Sequence, residues 1–323
     1  MRFTRVRLIL ANLLFVTLFV AQAHAQNYPT RPVHFIVPFP PGGVADVVAR
    51  VISQKLSEAL GQQVVIENRS GASGTLGVDA VVKSPPDGYT LLLTTGDFIT
   101  TPSLMPAMAF DPYKDLIPIT MVARAPLVLA SNAAGPIGSV KDLIATAKAN
   151  PGTVTFSSPG TGTVNHLAVE WIAIEAGAKF LHVPYRGGAP AATGLAAGDV
   201  QIGALTPSSA QPFIDASKIR VLGLMTKERP SFLSWPTLAE QGIDVDAALW
   251  IGLWAPAGTP AAIVTRLDEE TQKILKDDAV RARLNQLGTE ASPISQDAFA
   301  KRIRVDADRY SKIIQQTGVK VDR

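Results

Sequence analysis

Two segments of the sequence combine the end of a strand pattern, a glycine-rich turn and the start of a helix pattern. They span positions 37–46 and 156–166. A helix that begins directly after such a turn presents unpaired backbone N–H groups and the positive end of its dipole, and both favour an anion. We therefore predict two anion-binding turns, with two tight turns that bind nothing as the alternative. The candidate ligand-binding residues in them are Phe39, Pro40, Gly42, Gly43, Asp46, Gly160, Thr161, Gly162, Thr163 and His166.

Charged and polar side chains beside these turns have more than one possible role. Asp46 falls in the first turn of a predicted helix, where capping is more typical than catalysis. Thr95 and Asp97 follow an apolar strand pattern, and we expect them at the same sheet edge as the first turn. There Asp97 can accept a hydrogen bond from a ligand hydroxyl or ammonium, or form an Asx turn. His166 and Arg186 either line the cleft or are a structural histidine and a solvated arginine.

The patterns of common enzyme sites are missing from the sequence. It has no cysteine, no phosphate-binding G-x-x-x-x-G-K-[ST] run and no G-x-S-x-G nucleophile turn. Gly160 and Gly162 lack the third glycine of a dinucleotide fingerprint, because Asn165 stands at its position. No two histidines have the i, i+4 spacing of a helical zinc site. We expect no cofactor, no metal ion and no catalysis, and we keep an enzyme acting on a carboxylate as an alternative.

The first 25 residues have the pattern of an export signal. Arg2, Arg5 and Arg7 precede an apolar run over positions 8–20, and Ala23-His24-Ala25 follows it. This pattern predicts a signal peptide over residues 1–25, cleavage after Ala25 and a periplasmic location. The leader holds three of the 30 Lys and Arg residues and none of the 27 Asp and Glu residues, so the mature chain is formally neutral. We therefore expect no nucleic-acid partner.

Along the mature chain, β-rich runs alternate with helix patterns, which predicts an α/β fold with mostly parallel sheets flanked by helices. The early elements are predicted strands or β-rich runs at 33–37, 63–66, 77–82 and 90–95, and a helix at 44–60. Three amphipathic helices after position 260 need a surface to cover. We expect the chain to return to its first lobe, with a two-stranded hinge near Leu127 and Trp250. The predicted lobes are residues 26–127 plus 250–323, and residues 128–249.

Blocks of residues along the whole mature chain resemble the Bug family, the solute receptors of tripartite tricarboxylate transporters. The blocks lie at 28–32, 36–43, 68–74, 86–92, 111–116, 182–187 and 254–260. The resemblance implies a two-lobed, type II-like periplasmic binding protein that closes like a flytrap. It also implies that the Gly42-Gly43 turn and the Gly160–Thr163 turn grip a ligand carboxylate, partly through ordered water. The implied partner is a membrane permease, with a sensor protein as the alternative, and we expect a monomer.

Several positions near the expected cleft depart from the common family pattern. Ala45 replaces a frequent threonine, Gly194 replaces a frequent aspartate, and Leu205-Thr206 stands where an Asp-Asn pair is common. The segment 94–98 replaces a run of small residues. Fewer polar side chains favour a ligand with an apolar or aromatic body and one or two carboxylates. Thr206 completes the candidate ligand-binding residues.

Overall fold

The computed structural model describes residues 28–104 and 110–320. The predicted signal peptide lies outside the described residues. The first part of the chain contains strands and helices in the order β1 (Val33–Val37), α1 (Val44–Leu60), β2 (Val64–Asn68), α2 (Thr75–Val82), β3 (Thr90–Thr95), a 3-10 helix (Gly96–Thr100), α3 (Thr101–Leu104) and β4 (Leu116–Pro126). The middle part contains β5 (Val128–Asn132), α4 (Val140–Ala149), β6 (Thr155–Ser158), α5 (Val164–Ala176), β7 (Leu181–Pro184), α6 (Gly188–Ala197), β8 (Ile202–Leu205), α7 (Pro207–Asp215) and β9 (Ile219–Leu224). The last part contains β10 (Ala248–Pro256), α8 (Ala261–Ile274), α9 (Asp278–Gln286), β11 (Glu290–Ile294) and α10 (Gln296–Thr317).

The strands form two sheets, which we call the first and second lobes together with the helices around them. The six-stranded sheet of the first lobe has the order β11-β4-β10-β3-β1-β2, and the five-stranded sheet of the second lobe has the order β7-β6-β8-β5-β9. Helices cover both sheets, which confirms the predicted α/β class. The early helix α1 packs against the late helices α8 and α9, so the end of the chain covers the first sheet.

Both sheets are mixed, which corrects the expectation of mostly parallel sheets. In the first sheet β1 runs parallel to β2 and β3, but β10 is antiparallel to β3 and β4, and β11 is antiparallel to β4. In the second sheet β6 runs parallel to β7 and β8, but β5 is antiparallel to β8 and β9. The path of the chain explains the antiparallel pair of β4 and β10. β4 leads out of the first lobe and β10 leads back into it, so these two neighbouring strands run in opposite directions.

The chain passes between the lobes twice, and the two passages lie side by side. β4 and β5 are separated by Leu127 alone, and Ala248 at the start of β10 pairs with Pro126 at the end of β4. Met225, which follows β9, is hydrogen-bonded to both passages: its N–H donates to the Leu127 carbonyl at 2.8 Å, and its carbonyl accepts the Ala247 N–H at 2.7 Å. Two paired backbone segments are the arrangement expected of a hinge.

One local prediction was wrong, and one strand was not predicted. The β-rich run at 77–82 is part of helix α2, in which Gly77, Val78 and Val81 are buried at helical spacing. Strand β11 was not predicted, because Ser292 and Pro293 interrupt any alternation of apolar residues there. A proline is compatible with β11 because this strand forms the edge of the sheet. Among the described helices, none is both long and apolar enough to cross a membrane.

Candidate functional site

A cavity of about 590 Å³, including its open mouth, lies between the lobes. Most of its wall is apolar and consists of Phe39, Pro40, Pro41, Val44, Ala45, Pro159, Pro190 and Leu249. Its polar side chains are Thr95, Asp97, Asn165, Arg186, Thr206 and Ser209. An apolar wall with a few polar groups is the usual composition of small-molecule sites.

The first predicted turn lies against the cavity and is held from behind by a buried carboxylate. Asp46 is 2% exposed and accepts hydrogen bonds from the Gly42 N–H at 2.9 Å, from Arg50 Nε and Nη2 at 3.0 Å each, and from Asn68 Nδ2 at 3.0 Å. Burial alone would raise the pKa of Asp46, but these hydrogen bonds outweigh it and hold the pKa below its usual value. Asn68 also donates to the Phe39 carbonyl at 3.0 Å. Asp46 therefore positions the turn.

The fixed turn leaves the start of helix α1 at the cavity wall. Gly42 has a φ of +83°, a conformation that favours glycine, and extended Gly43 precedes the helix. The first N–H groups of any helix have no partner within the helix. Since Gly43, Val44 and Ala45 all line the cavity, this helix end can bind an anion there.

The second predicted turn is closed by its own side chains. The Gly162 N–H donates to His166 Nδ1 at 3.0 Å, and Thr163 Oγ1 donates to the Gly160 carbonyl at 2.8 Å. The His166 ring stacks on His182 with centroids 3.6 Å apart. Burial, followed by the effect of His166, lowers the pKa of His182 to about 3. The two rings therefore pack against each other within the second lobe, where His166 is 3% exposed.

The start of helix α5 is occupied by a carboxylate from the other lobe. Asp97 Oδ1 accepts a hydrogen bond from the Val164 N–H at 2.7 Å, and Asp97 Oδ2 accepts one from Thr95 Oγ1 at 2.5 Å. The preceding residue, Gly96, lies so close to Trp250 that a Cβ atom there would be 2.6 Å from the indole. Trp250 is buried and donates from Nε1 to Asp306 Oδ2 at 3.0 Å, whereas its neighbour Leu249 lines the cavity.

A third helix start reaches the cavity, and sequence reasoning missed it. Arg186 is exposed at the cavity wall, and Gly187 to Ala189, which begin helix α6, line the cavity beside it. A Cβ atom on Gly188 would lie 2.6 Å from Ser209 Oγ, so glycine allows α6 to approach Ser209 closely. The signal was present in the sequence, because Arg186-Gly187-Gly188 is a third strand-to-helix turn.

The predicted site residues thus fall into two groups. Those on the cavity wall are Phe39, Pro40, Gly43, Thr95, Asp97 and Thr206. Those in the turns behind the wall are Gly42, Asp46, Gly160, Thr161, Gly162, Thr163 and His166. Within residues 28–104 and 110–320, no three His, Cys, Asp or Glu side chains are arranged to hold a metal ion. The wall supplies hydrogen-bond donors, one exposed cation and apolar contacts, which suit binding of an organic anion.

Comparison with known proteins gives a consistent result. Residues 48–319 match the model of the tripartite tricarboxylate transporter family receptor. The chain is 37% identical over 292 residues to the UPF0065 protein in the tcbD-tcbE intergenic region of Pseudomonas sp. strain P51, covering 89% of this chain and 86% of the relative. It is 34% identical over 325 residues to Protein BugT of Bordetella pertussis, covering 99% and 100%.

Solved structures share the same fold. The structure described as R. palustris Rpa4515 with adipate superposes with a TM-score of 0.86 at 34% identity, covering 91% of this chain and 99% of that chain. The similarity therefore extends over most of the chain.

Proposed function

The chain belongs to the tripartite tricarboxylate transporter receptor family, and from this premise we propose that it captures a small organic carboxylate in the periplasm for a membrane permease. The observation that carries the proposal is the cavity between the lobes, where the starts of α1 and α6 meet beside Arg186. Two helix ends and a guanidinium provide N–H donors and positive charge to one small volume. A carboxylate is the small organic group that matches them.

The body of the ligand is apolar. Phe39, Val44 and Leu249 form the wall together with four prolines, so the space beyond the carboxylate offers van der Waals contact and few hydrogen bonds. The similar structure from R. palustris that carries adipate, with a chain of methylene groups between its carboxylates, agrees with such a wall. We therefore favour aliphatic or aromatic acids with few hydroxyl or amino groups.

The permease distinguishes the ligand-bound protein from the free protein by the closure of the two lobes. A ligand that touches both lobes shifts the equilibrium to the closed form by its difference in affinity for the two forms. The paired segments at Leu127 and Ala248 are the hinge about which the lobes turn. The leader over residues 1–25 directs the chain to the compartment where it meets its ligand.

A thermal-shift screen of the mature chain, residues 26–323, tests the proposal. The panel contains aliphatic, hydroxy, amino and aromatic carboxylates, each paired with its methyl ester as a control that lacks the negative charge. A ligand that binds only the native state raises the melting temperature. We expect a rise with one class of acid and none with its esters. Equal shifts for acids and esters, or none with any acid, would contradict the proposal.

A further inference from the structure

The Asp97 carboxylate joins the two lobes directly. It lies in the 3-10 helix after β3 in the first lobe, and its Oδ1 atom accepts the N–H of Val164, the first residue of α5 in the second lobe, at 2.7 Å. Thr100, in the same 3-10 helix, donates from Oγ1 to the Gly162 carbonyl at 2.8 Å. The turn before α5 is therefore held on both sides by first-lobe groups.

Asp97 is a buried carboxyl group whose hydrogen-bond partners are these contacts. It is 8% exposed. Burial raises the pKa of Asp97 above its usual value, and the hydrogen bonds from Thr95 and Val164 reduce that rise without cancelling it. The start of a 13-residue helix adds the positive end of its dipole. An internal carboxylate thus occupies the position that the resemblance assigned to the ligand.

The composition of the cavity wall follows from this contact. Asp97 lines the wall, and so do Pro159 and Asn165 of the segment 156–166, whereas Gly160 to Thr163 do not. The Asn165 amide is engaged within the second lobe, because Nδ2 donates to the Ala204 carbonyl at 2.8 Å. The other second-lobe donors that line the cavity are Arg186, the start of α6 and the hydroxyl groups of Thr206 and Ser209. Two carboxylates do not share one helix end readily, because like charges at short distance repel in a site of low dielectric.

We propose that Asp97 is a specificity-determining residue, which fills the anion site at α5 and directs the ligand carboxylate to the starts of α1 and α6. The inference rests on the proposed function, since it assumes that a carboxylate enters the cavity. Its consequence is a preference in ligand chemistry. The part of the ligand that faces Asp97 is neutral or carries a hydrogen-bond donor, and a second carboxylate at that end is rejected.

The test compares Asp97→Asn with the unaltered mature chain. Asparagine keeps the size of the side chain and an oxygen acceptor for the Val164 N–H, but it removes the negative charge. The control is Asp278→Asn, which makes the same charge change at an exposed position at the start of α9. Circular dichroism establishes that each variant is folded.

The probes are two pairs of acids, adipate with its monomethyl ester and terephthalate with its monomethyl ester, in which the ester has the same carbon skeleton between its ends and one negative charge fewer. Calorimetric titration gives the ratio of the two affinities in each pair. In the unaltered chain we expect the monoacid to bind more tightly. Asp97→Asn should shift the ratio by about tenfold or more toward the diacid, as expected for removal of one nearby charge. Asp278→Asn should leave the ratio unchanged.

Each outcome separates the two proposals. If the unaltered chain binds acids but the ratio in Asp97→Asn stays within about twofold of its original value, the role of Asp97 is refuted while the carboxylate receptor stands. A preference of the unaltered chain for the diacid in both pairs refutes it equally. If the unaltered chain binds none of the four compounds nor any acid of the panel, the proposed function fails and the inference fails with it.

Discussion

Replacement of Asp46 by asparagine tests whether the hydrogen bonds to the Asp46 carboxylate hold the first turn in place. The carboxylate accepts four hydrogen bonds, two of them from the half-exposed Arg50 and the others from Gly42 and Asn68. An asparagine side chain keeps one acceptor oxygen but turns an NH2 group toward one set of donors. At least one buried donor then loses its partner, and the Arg50 guanidinium loses its counter-charge.

The expected loss of unfolding free energy is about 2–4 kcal/mol. A hydrogen bond to a charged group contributes roughly 1.5–3 kcal/mol, and a buried donor left without a partner costs about 1–3 kcal/mol. The ion pair itself adds little, because the Arg50 side chain is 57% exposed and solvent screens it. The control Arg50→Gln should therefore cost less than about 1 kcal/mol.

Urea denaturation followed by circular dichroism measures both variants, and calorimetric titration measures their affinity for a carboxylate found in the screen. Asp46→Asn should lower the midpoint at an unchanged slope and weaken binding at least about tenfold, because the start of α1 is no longer fixed. Because the pKa of Asp46 is lower in the native state than in the unfolded chain, its ionisation stabilises the native state at any pH above the usual pKa of aspartate. This stabilisation is lost as the pH falls through the pKa that Asp46 has in the native state. A midpoint equal to that of Arg50→Gln would refute this account of the turn.

Three further predictions concern the second lobe. The native state keeps His182 neutral down to about pH 3, whereas the unfolded chain protonates it near 6.5, so the unfolding free energy should fall by up to about 1.4 kcal/mol per pH unit between these values. Urea titrations should show a shallower fall in His182→Asn. Gly188→Ala places a methyl group 2.6 Å from Ser209 Oγ and should weaken carboxylate binding. Gly61→Ala has open space around it but a left-handed φ of +67°, so it should lower the unfolding free energy and leave binding unchanged. Arg186→Gln should weaken binding about tenfold in low salt and less in high salt.

Local pattern was sufficient for most elements and for the family. Helix α1 spans the predicted residues 44–60, because its apolar residues recur at helical spacing and Gly61 ends it in the left-handed conformation. The Bug-family resemblance is confirmed by the family match and by BugT. Both glycine turns were found because strand, turn and helix signals are local in sequence. The division into lobes at Leu127 and Trp250 stays a prediction.

Only the tertiary structure decided which helix ends face the ligand. Asp97 and Val164 are 67 positions apart, and no sequence period relates them, so their hydrogen bond follows from how the two lobes meet. The meeting of the lobes also places Arg186 on the cavity wall, and packing within the second lobe places His166 against His182. A sequence determines which groups can bind an anion, because that depends on residue type and on the neighbouring backbone. Which of these groups is already bound within the protein depends on contacts between distant segments, which arise only on folding.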